Sequence, residues 1–219
     1  MTKIAIIVVG HMRSWKSCKE QFMKYFNKYD PDIYALTYNT INYNSKEILT
    51  EEEIKESLKD INIVKLTIKN EKDVFEEAKT KYGKFLIEQN RDMNNLTWGC
   101  QFLNLQSCYN DIVNSGIKYD YIIKTRFDVQ YLFDENDLFI EKEKFINISS
   151  NHDCCDIFAC GKFDKMHSYC NIADNIEFLY NSQFKENWIE MNPHILLYYN
   201  LAYSNIKFNS ILKIKLIRI

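Results

Sequence analysis

Glycine and proline are scarce. Five glycines and two prolines in 219 residues exclude a collagen-like repeat and a low-complexity linker, so each one present marks a turn, a stop or a close approach. No CxxC pair occurs among the seven cysteines, Cys18, Cys100, Cys108, Cys154, Cys155, Cys160 and Cys170. Their odd number and spacing exclude a zinc ribbon and a dense disulfide framework and point to buried thiols in a reducing cytoplasm. No stretch approaches the ~20 apolar residues that span a bilayer. The start, Met1-Thr2-Lys3 and then a short apolar run broken at Gly10-His11, lacks the cleavage pattern of a signal peptide. The expectation is a soluble, cytoplasmic protein with no transmembrane segment. An excess of positive charge is missing too: the formal net charge is −2, so no global field favours nucleic acid or an anionic membrane. Neither GxxxxGK[ST] nor GxGxxG is present, which removes the Walker A loop and the dinucleotide fingerprint.

What is there suits a globular chain. Hydrophobic residues make up 46% and charged residues 26%, and the length fits one domain over residues 1–219 with a substantial core. Ile4 to Val9 is a continuous apolar run, as in a strand covered on both faces. A helix follows from about Ser14, with Trp15, Cys18, Phe22 and Tyr25 or Phe26 on one side. Asp30-Pro31-Asp32 is a turn and Ile33 to Tyr38 a second strand, completing a βαβ unit. Further on, the pattern predicts a helix from Glu51 to Lys59, a strand from Ile61 to Ile68 and a helix from Glu71 to Tyr82 stopped by Gly83. A long helix carries Leu96, Cys100, Leu103, Cys108 and Ile112 and closes at Gly116. Strands are predicted over Tyr119 to Thr125, with Phe127 to Val129 prolonging it, and over Asp156 to Cys160 and Ile211 to Ile217. Asn192-Pro193 reads as a helix start, an N-cap followed by proline at the first helical position, with the helix running to about Tyr203. The class is α/β: a mixed, mostly parallel central sheet flanked by helices.

Two segments carry candidate chemistry. Gly10-His11-Met12-Arg13-Ser14 lies between a buried strand and a helix N-terminus, where unpaired N–H groups and the helix dipole favour an anion. Arg13 adds a planar donor fork for phosphate, and Gly10 permits close backbone approach. A tight turn with a surface arginine is the plain alternative. In Tyr119-Asp120-Tyr121-Ile122-Ile123-Lys124-Thr125-Arg126-Phe127-Asp128, an apolar strand emerges into Arg-x-Asp. Alternation puts Arg126 and Asp128 on one side of the chain. There Asp128 can hold a hard divalent cation against a diphosphate while Arg126 binds and neutralises further charge on it, or the two can simply form an ion pair.

Taken in order, the buried strand, G-x-x-R-S, the YDYIIKTRFD segment and the later D-x-F-x-x-G run from Asp156 to Gly161 resemble small glycosyltransferases of the GT-A, Rossmann-like kind. These include bacterial polysaccharide enzymes and enzymes encoded by large DNA viruses. The resemblance runs from Ile4 to about Tyr203. It implies transfer of a sugar from a nucleoside diphosphate sugar to a hydroxyl of a glycan or glycoprotein, with Mn²⁺ or Mg²⁺ as cofactor. In that family a DxD motif holds the metal. Here Arg126 replaces the first acidic residue, which leaves Asp128 as the metal ligand. Gly10 and Arg13 match the diphosphate loop, and Tyr38 and Asn39 fall where base and ribose are met. Gln101 and Asn104 lie on the polar side of the long helix, within reach of a nucleotide or merely solvated.

The acceptor side is expected around Asp153 and Asp156, with Asp156 preferred as a carboxylate that accepts a hydroxyl proton. Similar proteins carry an acidic residue near a proline such as Pro193. Here Glu190 and His194 compete for that slot, and His194 in the first helical turn can act as a neutral ligand or base. Asp156, Glu190 and His194 are therefore the catalytic candidates. A sulfotransferase-like reading of Met12 to Ser17 competes, although Trp15 occupies the expected glycine slot. A non-catalytic nucleotide- or carbohydrate-binding module competes as well. Oligomerisation stays open.

Overall fold

The computed structural model describes residues 2–42, 45–134, 138, 145–149, 154–185 and 190–217, with the backbone alone at 145–149, 210 and 211. Asp153 and His152 lie outside them.

The first strand, β1 (Ile4–Val9), is buried at every position. It pairs in parallel with β2 (Asp32–Tyr38), also wholly buried, and with β4 (Tyr121–Thr125). Strand β3 (Ile63–Lys69) adds in parallel to β2. Strand β7 (Ala159–Lys162) runs antiparallel to β4 and to β6 (Phe145–Ser149), and β6 is parallel to β8 (Lys207–Leu212). The seven-stranded order is β3-β2-β1-β4-β7-β6-β8, an α/β architecture with a mixed sheet. The continuous apolar run of β1 and the largely apolar β2, in which only Asp32 and Thr37 are polar, follow from their interior positions, where both faces meet packed side chains. A separate ribbon joins β5 (Val129–Tyr131) to β9 (Ile214–Leu216).

The helices are α1 (Trp15–Phe26), α2 (Glu51–Leu58), α3 (Glu71–Glu88), α4 (Thr97–Asn114), α5 (Phe163–Cys170), α6 (Ile172–Leu179) and α7 (Pro193–Tyr203). As expected, α1 buries Trp15, Cys18, Phe22 and Phe26. Its Gln21 is locked to Tyr131 of β5 by a reciprocal pair of hydrogen bonds, 2.7 and 2.8 Å. Helix α4 packs on β1 and β2. Helix α2 opens with a capping box between Thr50 and Glu53, and α7 with Asn192 accepting from the Ile195 N–H and Pro193 in its first turn. Caps of this kind contribute ~1 kcal/mol each. Among the described residues, no helix is long and apolar enough to cross a membrane.

Three boundaries differ from the sequence pattern. Helix α3 does not stop at Gly83 but runs through it, because Gly83 is buried and faces Met93; a Cβ there would lie 3.2 Å from the Met93 methyl carbon. The strand expected from Asp156 begins only at Ala159. The Asp156 and Ile157 carbonyls accept instead from the Lys124 ammonium, so a side chain replaces the ladder there. Phe127 to Val129 does not prolong β4. The chain turns at Phe127-Asp128, and Val129 opens β5, whose partner β9 is the second half of the expected last strand.

Candidate active site

In open α/β sheets the crevice lies beyond the carboxyl ends of the strands, where the connections diverge. Here the chain leaves β1 toward β2 on one side, while β4 enters on the other. A cavity of about 270 Å³ opens at that point, lined among others by His11, Arg13, Tyr38, Asn104, Lys124 and Arg126. Gly10 turns out of β1 with φ +127°, a left-handed region that favours glycine. No atom lies within 4 Å of where its Cβ would be, so this glycine answers a backbone need and not a spatial one.

Two arginines share one carboxylate on the cavity wall. Arg126 donates from Nε to Asp128 Oδ1 and from Nη2 to Oδ2, both 2.8 Å. Arg13, brought from the first loop, donates from Nε (3.1 Å) and Nη2 (2.5 Å) to Oδ2, and from Nη1 to Asn42 at 3.1 Å. The C-terminal ribbon buttresses this corner: Ser14 Oγ donates to the Ile217 carbonyl at 2.5 Å, and the Ile217 N–H donates to Asp128 O at 2.8 Å. Asp128 is 1% exposed. Burial alone would raise its carboxyl, but hydrogen bonds and charge from Arg126 and then Arg13 outweigh burial and hold it below the ordinary carboxylate value. Burial likewise works against the Arg126 cation, and the Asp128 contact reverses it.

The expectation of Mn²⁺ or Mg²⁺ on Asp128 does not fit this geometry. Both oxygens are enclosed and taken by guanidinium donors, and a dication there would face two fixed positive charges. Asp128 is the counter-ion that aims Arg13 and Arg126, which is the ion-pair alternative extended to a second arginine.

The remaining wall is polar. Tyr38 lines the cavity, and its hydroxyl accepts from Asn104 Nδ2 at 2.7 Å. The His11 ring packs against Tyr38, tilted by 32° with ring centroids 4.5 Å apart, and meets Glu71 Oε1 at 3.0 Å. Burial, then the Arg13 and Arg126 charges, lower its pKa to about 4, so at neutral pH it is an uncharged donor. Asn39, the neighbour of Tyr38 in sequence, is not on the cavity. Alternation turns it away, and its Oδ1 is buried without a hydrogen-bond partner among the described residues. Gln101 and Asn104 both line the cavity, and Asn104 is buried and not solvated. The loop read as a sulfotransferase-like phosphate grip is otherwise engaged: Ser14 is turned to Ile217, and Trp15 is buried with its indole N–H on the Ser57 carbonyl.

Lys124 escaped the sequence reading. It is 3% exposed, lies in β4 two residues before Arg126, is among the residues lining the cavity, and its ammonium donates to the Asp156 and Ile157 carbonyls. Burial lowers its pKa to about 8, against a raising effect of Asp156. An anion in the cavity gains from this charge only while the proton is bound. Affinity of the cavity for an anionic probe such as pyrophosphate is therefore expected to fall on the order of tenfold as pH rises past about 8. Lys124→Met should flatten that profile, which calorimetry across pH 7 to 9.5 would check.

Beyond Lys124 the structure brings together two of the three catalytic candidates. His194 Nδ1 lies 3.5 Å from Asp156 Oδ1 and donates to the Cys154 carbonyl at 3.0 Å. Asp156 is 7% exposed. Glu190 is elsewhere, 55% exposed and 3.7 Å from Arg91. Cys155 joins Asp156 and His194 in a group able to hold a metal ion.

No protein-family model matches the sequence, and no curated protein does. Solved structures with a similar fold include the glycosyltransferase GlyE of Streptococcus pneumoniae TIGR4, at 9% identity over 95% of this chain with TM-score 0.49. This chain spans 45% of the length of GlyE. Mouse xyloside xylosyltransferase 1 is 8% identical over 96% of this chain and 84% of its own, with TM-score 0.41. A Bacillus anthracis protein assigned as a glucose-1-phosphate thymidylyltransferase is 8% identical over 99% and 89%, with TM-score 0.43.

Proposed function

We propose that this chain is a nucleotide-sugar-dependent glycosyltransferase that moves a sugar from a nucleoside diphosphate donor to a hydroxyl of a glycan or glycoprotein. The observation that carries the reading is the pair of guanidiniums clamped on buried Asp128 in the wall of the switch-point cavity. The diphosphate lies against Arg13 and Arg126, with the Lys124 ammonium behind them. Donors already fixed in place stabilise the charge that develops on the leaving diphosphate without reorganising. Arginine suits this because its fork matches phosphate oxygens and does not lose its proton. The base and ribose lie toward Tyr38, His11 and Asn104, where an aromatic face sits beside amide and imidazole donors. The acceptor approaches from the side of Asp156 and His194. A reducing, cytoplasmic setting belongs to the same reading, supported by seven buried cysteines with no disulfide among them.

Arg13 supplies the test. Only a diphosphate presents oxygens to its guanidinium, and a hydrogen bond to a charged group contributes about 1.5–3 kcal/mol. Arg13→Ala should weaken nucleoside diphosphate binding on the order of 10- to 100-fold and leave the parent nucleoside nearly unchanged. Calorimetry with UDP, GDP and their nucleosides reads this directly. Equal weakening of both would make Arg13 a structural residue. Transfer or hydrolysis of a nucleotide sugar separates an enzyme from a binding module.

A further inference from the structure

One group of side chains outside the arginine wall combines three donor types that a borderline-soft metal ion prefers. Cys155, Asp156 and His194 each offer a ligand atom, and the three atoms lie within 4.8 Å of one another. Two independent parts of the fold position them. Lys124 of β4 holds the backbone at Asp156 and Ile157, while the Asn192 cap and Pro193 set the first turn of α7, which carries His194. His194 Nδ1, the nitrogen that faces Asp156, donates to the Cys154 carbonyl at 3.0 Å, a bond that a metal ion would exchange.

We propose that Cys155, Asp156 and His194 bind a zinc-class divalent cation, in place of the Mn²⁺ or Mg²⁺ expected on Asp128. Thiolate, carboxylate and imidazole are the ligands of Zn²⁺, at bond lengths that put ligand atoms about 3.3–3.7 Å apart in a tetrahedron. Asp156 and His194 already stand at 3.5 Å, so closing the group takes no more than about an ångström. A thiolate selects against Mg²⁺, Ca²⁺ and Mn²⁺, which prefer oxygen. Charge balance agrees. A thiolate and a carboxylate neutralise the dication, which the Lys124 and Arg126 charges and the positive end of the α7 dipole would otherwise repel. Three protein ligands leave a fourth position for an oxygen ligand, the pattern of a reactive and not a closed structural site. The proposal does not depend on the transferase reading, since the binding test involves no sugar donor.

The test titrates Co²⁺ into the full, metal-stripped protein. Expected are the d–d bands of tetrahedral cobalt with a thiolate-to-cobalt charge-transfer band, both displaced by Zn²⁺ and not by Mg²⁺. Cys155→Ser should abolish the charge-transfer band. Asp156→Asn and His194→Ala should each weaken Zn²⁺ by more than the ~10- to 100-fold typical of losing an outer-shell partner. Glu190→Gln, exposed and outside the group, should keep wild-type affinity. Should Cys155→Ser fail to fold, the other two variants decide, with the Zn²⁺-induced rise in melting midpoint as a second readout. Cobalt bound without thiolate character, Mn²⁺ or Mg²⁺ bound more tightly than Zn²⁺, or affinities unmoved by the substitutions would each overturn the proposal.

Discussion

Asp128→Asn is expected to lower the melting midpoint of the metal-free protein by roughly 6–20 °C. Removing one member of a buried ion pair costs about 3–5 kcal/mol, because the partner charge is left uncompensated, and in a chain of this length each kcal/mol shifts the midpoint by about 2–4 °C. Here the orphaned charges number two, Arg13 and Arg126, whose side chains are only 16% and 14% exposed. That residual hydration places the effect in the lower half of the range. The pH dependence has a fixed sign. The Asp128 carboxyl is held below its ordinary value, so its contribution is complete above the unfolded-state value of about 3.9 and is lost as pH falls through the folded value beneath it. Melts from pH 7 down to pH 3 should therefore show the wild type and Asp128→Asn converging in acid. Nucleoside diphosphate binding should fall in the same variant, since the guanidiniums lose the group that aims them. A variant as stable as wild type at pH 7, having lost only Mn²⁺-enhanced nucleotide binding, would return Asp128 to the role of metal ligand.

That residue also shows how far a sequence can be read. Strand alternation predicts Arg126 and Asp128 on one side, and they do meet, but through the turn at Phe127-Asp128 that follows the end of β4 at Thr125. Their purpose was not legible, because an Arg-x-Asp at a strand end fits a cation site and an ion pair equally. What decides is Arg13, which arrives from 115 residues away, a proximity that no local spacing encodes. The strands and caps were legible where one local force dominates. β1 is an unbroken apolar run and β2 is apolar from Ile33 to Leu36, and Asn192-Pro193 carries its helix signal within two residues. Strand β7 was misplaced because a lysine side chain, and not a neighbouring strand, satisfies the carbonyls of Asp156 and Ile157. The signal for it was present: Lys124 interrupts the apolar run of a central strand, where a solvated ammonium has no place. For Asn104 the polar side of α4 leaves two readings open, solvated or within reach of a ligand, and that side faces the cavity and the Tyr38 hydroxyl.

Asp156→Asn should reduce turnover by on the order of 10²–10⁴-fold while sparing donor affinity. Asp156 and His194 are the two acceptor-side candidates that the fold brings into contact, and Asp156 is nearly buried beside Lys124 and outside the cavity assigned to the nucleotide. A positioned carboxylate that takes the acceptor proton acts in the transition state and not in the donor complex, and losses of this size are usual for such a group. The same pattern follows if the carboxylate acts by holding a cation, because the proposed donor site is at the arginines in either case. The measurement is steady-state transfer with donor affinity recorded in parallel, which distinguishes a fall in kcat from a rise in KM. His194→Ala should show a smaller loss in the same direction, as its ring borders Asp156. Glu190→Gln should stay near wild type, being exposed and paired with Arg91. Wild-type turnover in Asp156→Asn together with inactivity in Glu190→Gln would place the acceptor chemistry before Pro193 and detach it from the Asp156–His194 pair. Loss of donor binding in Asp156→Asn would mean that the residue serves the nucleotide through Lys124, which its backbone holds in place.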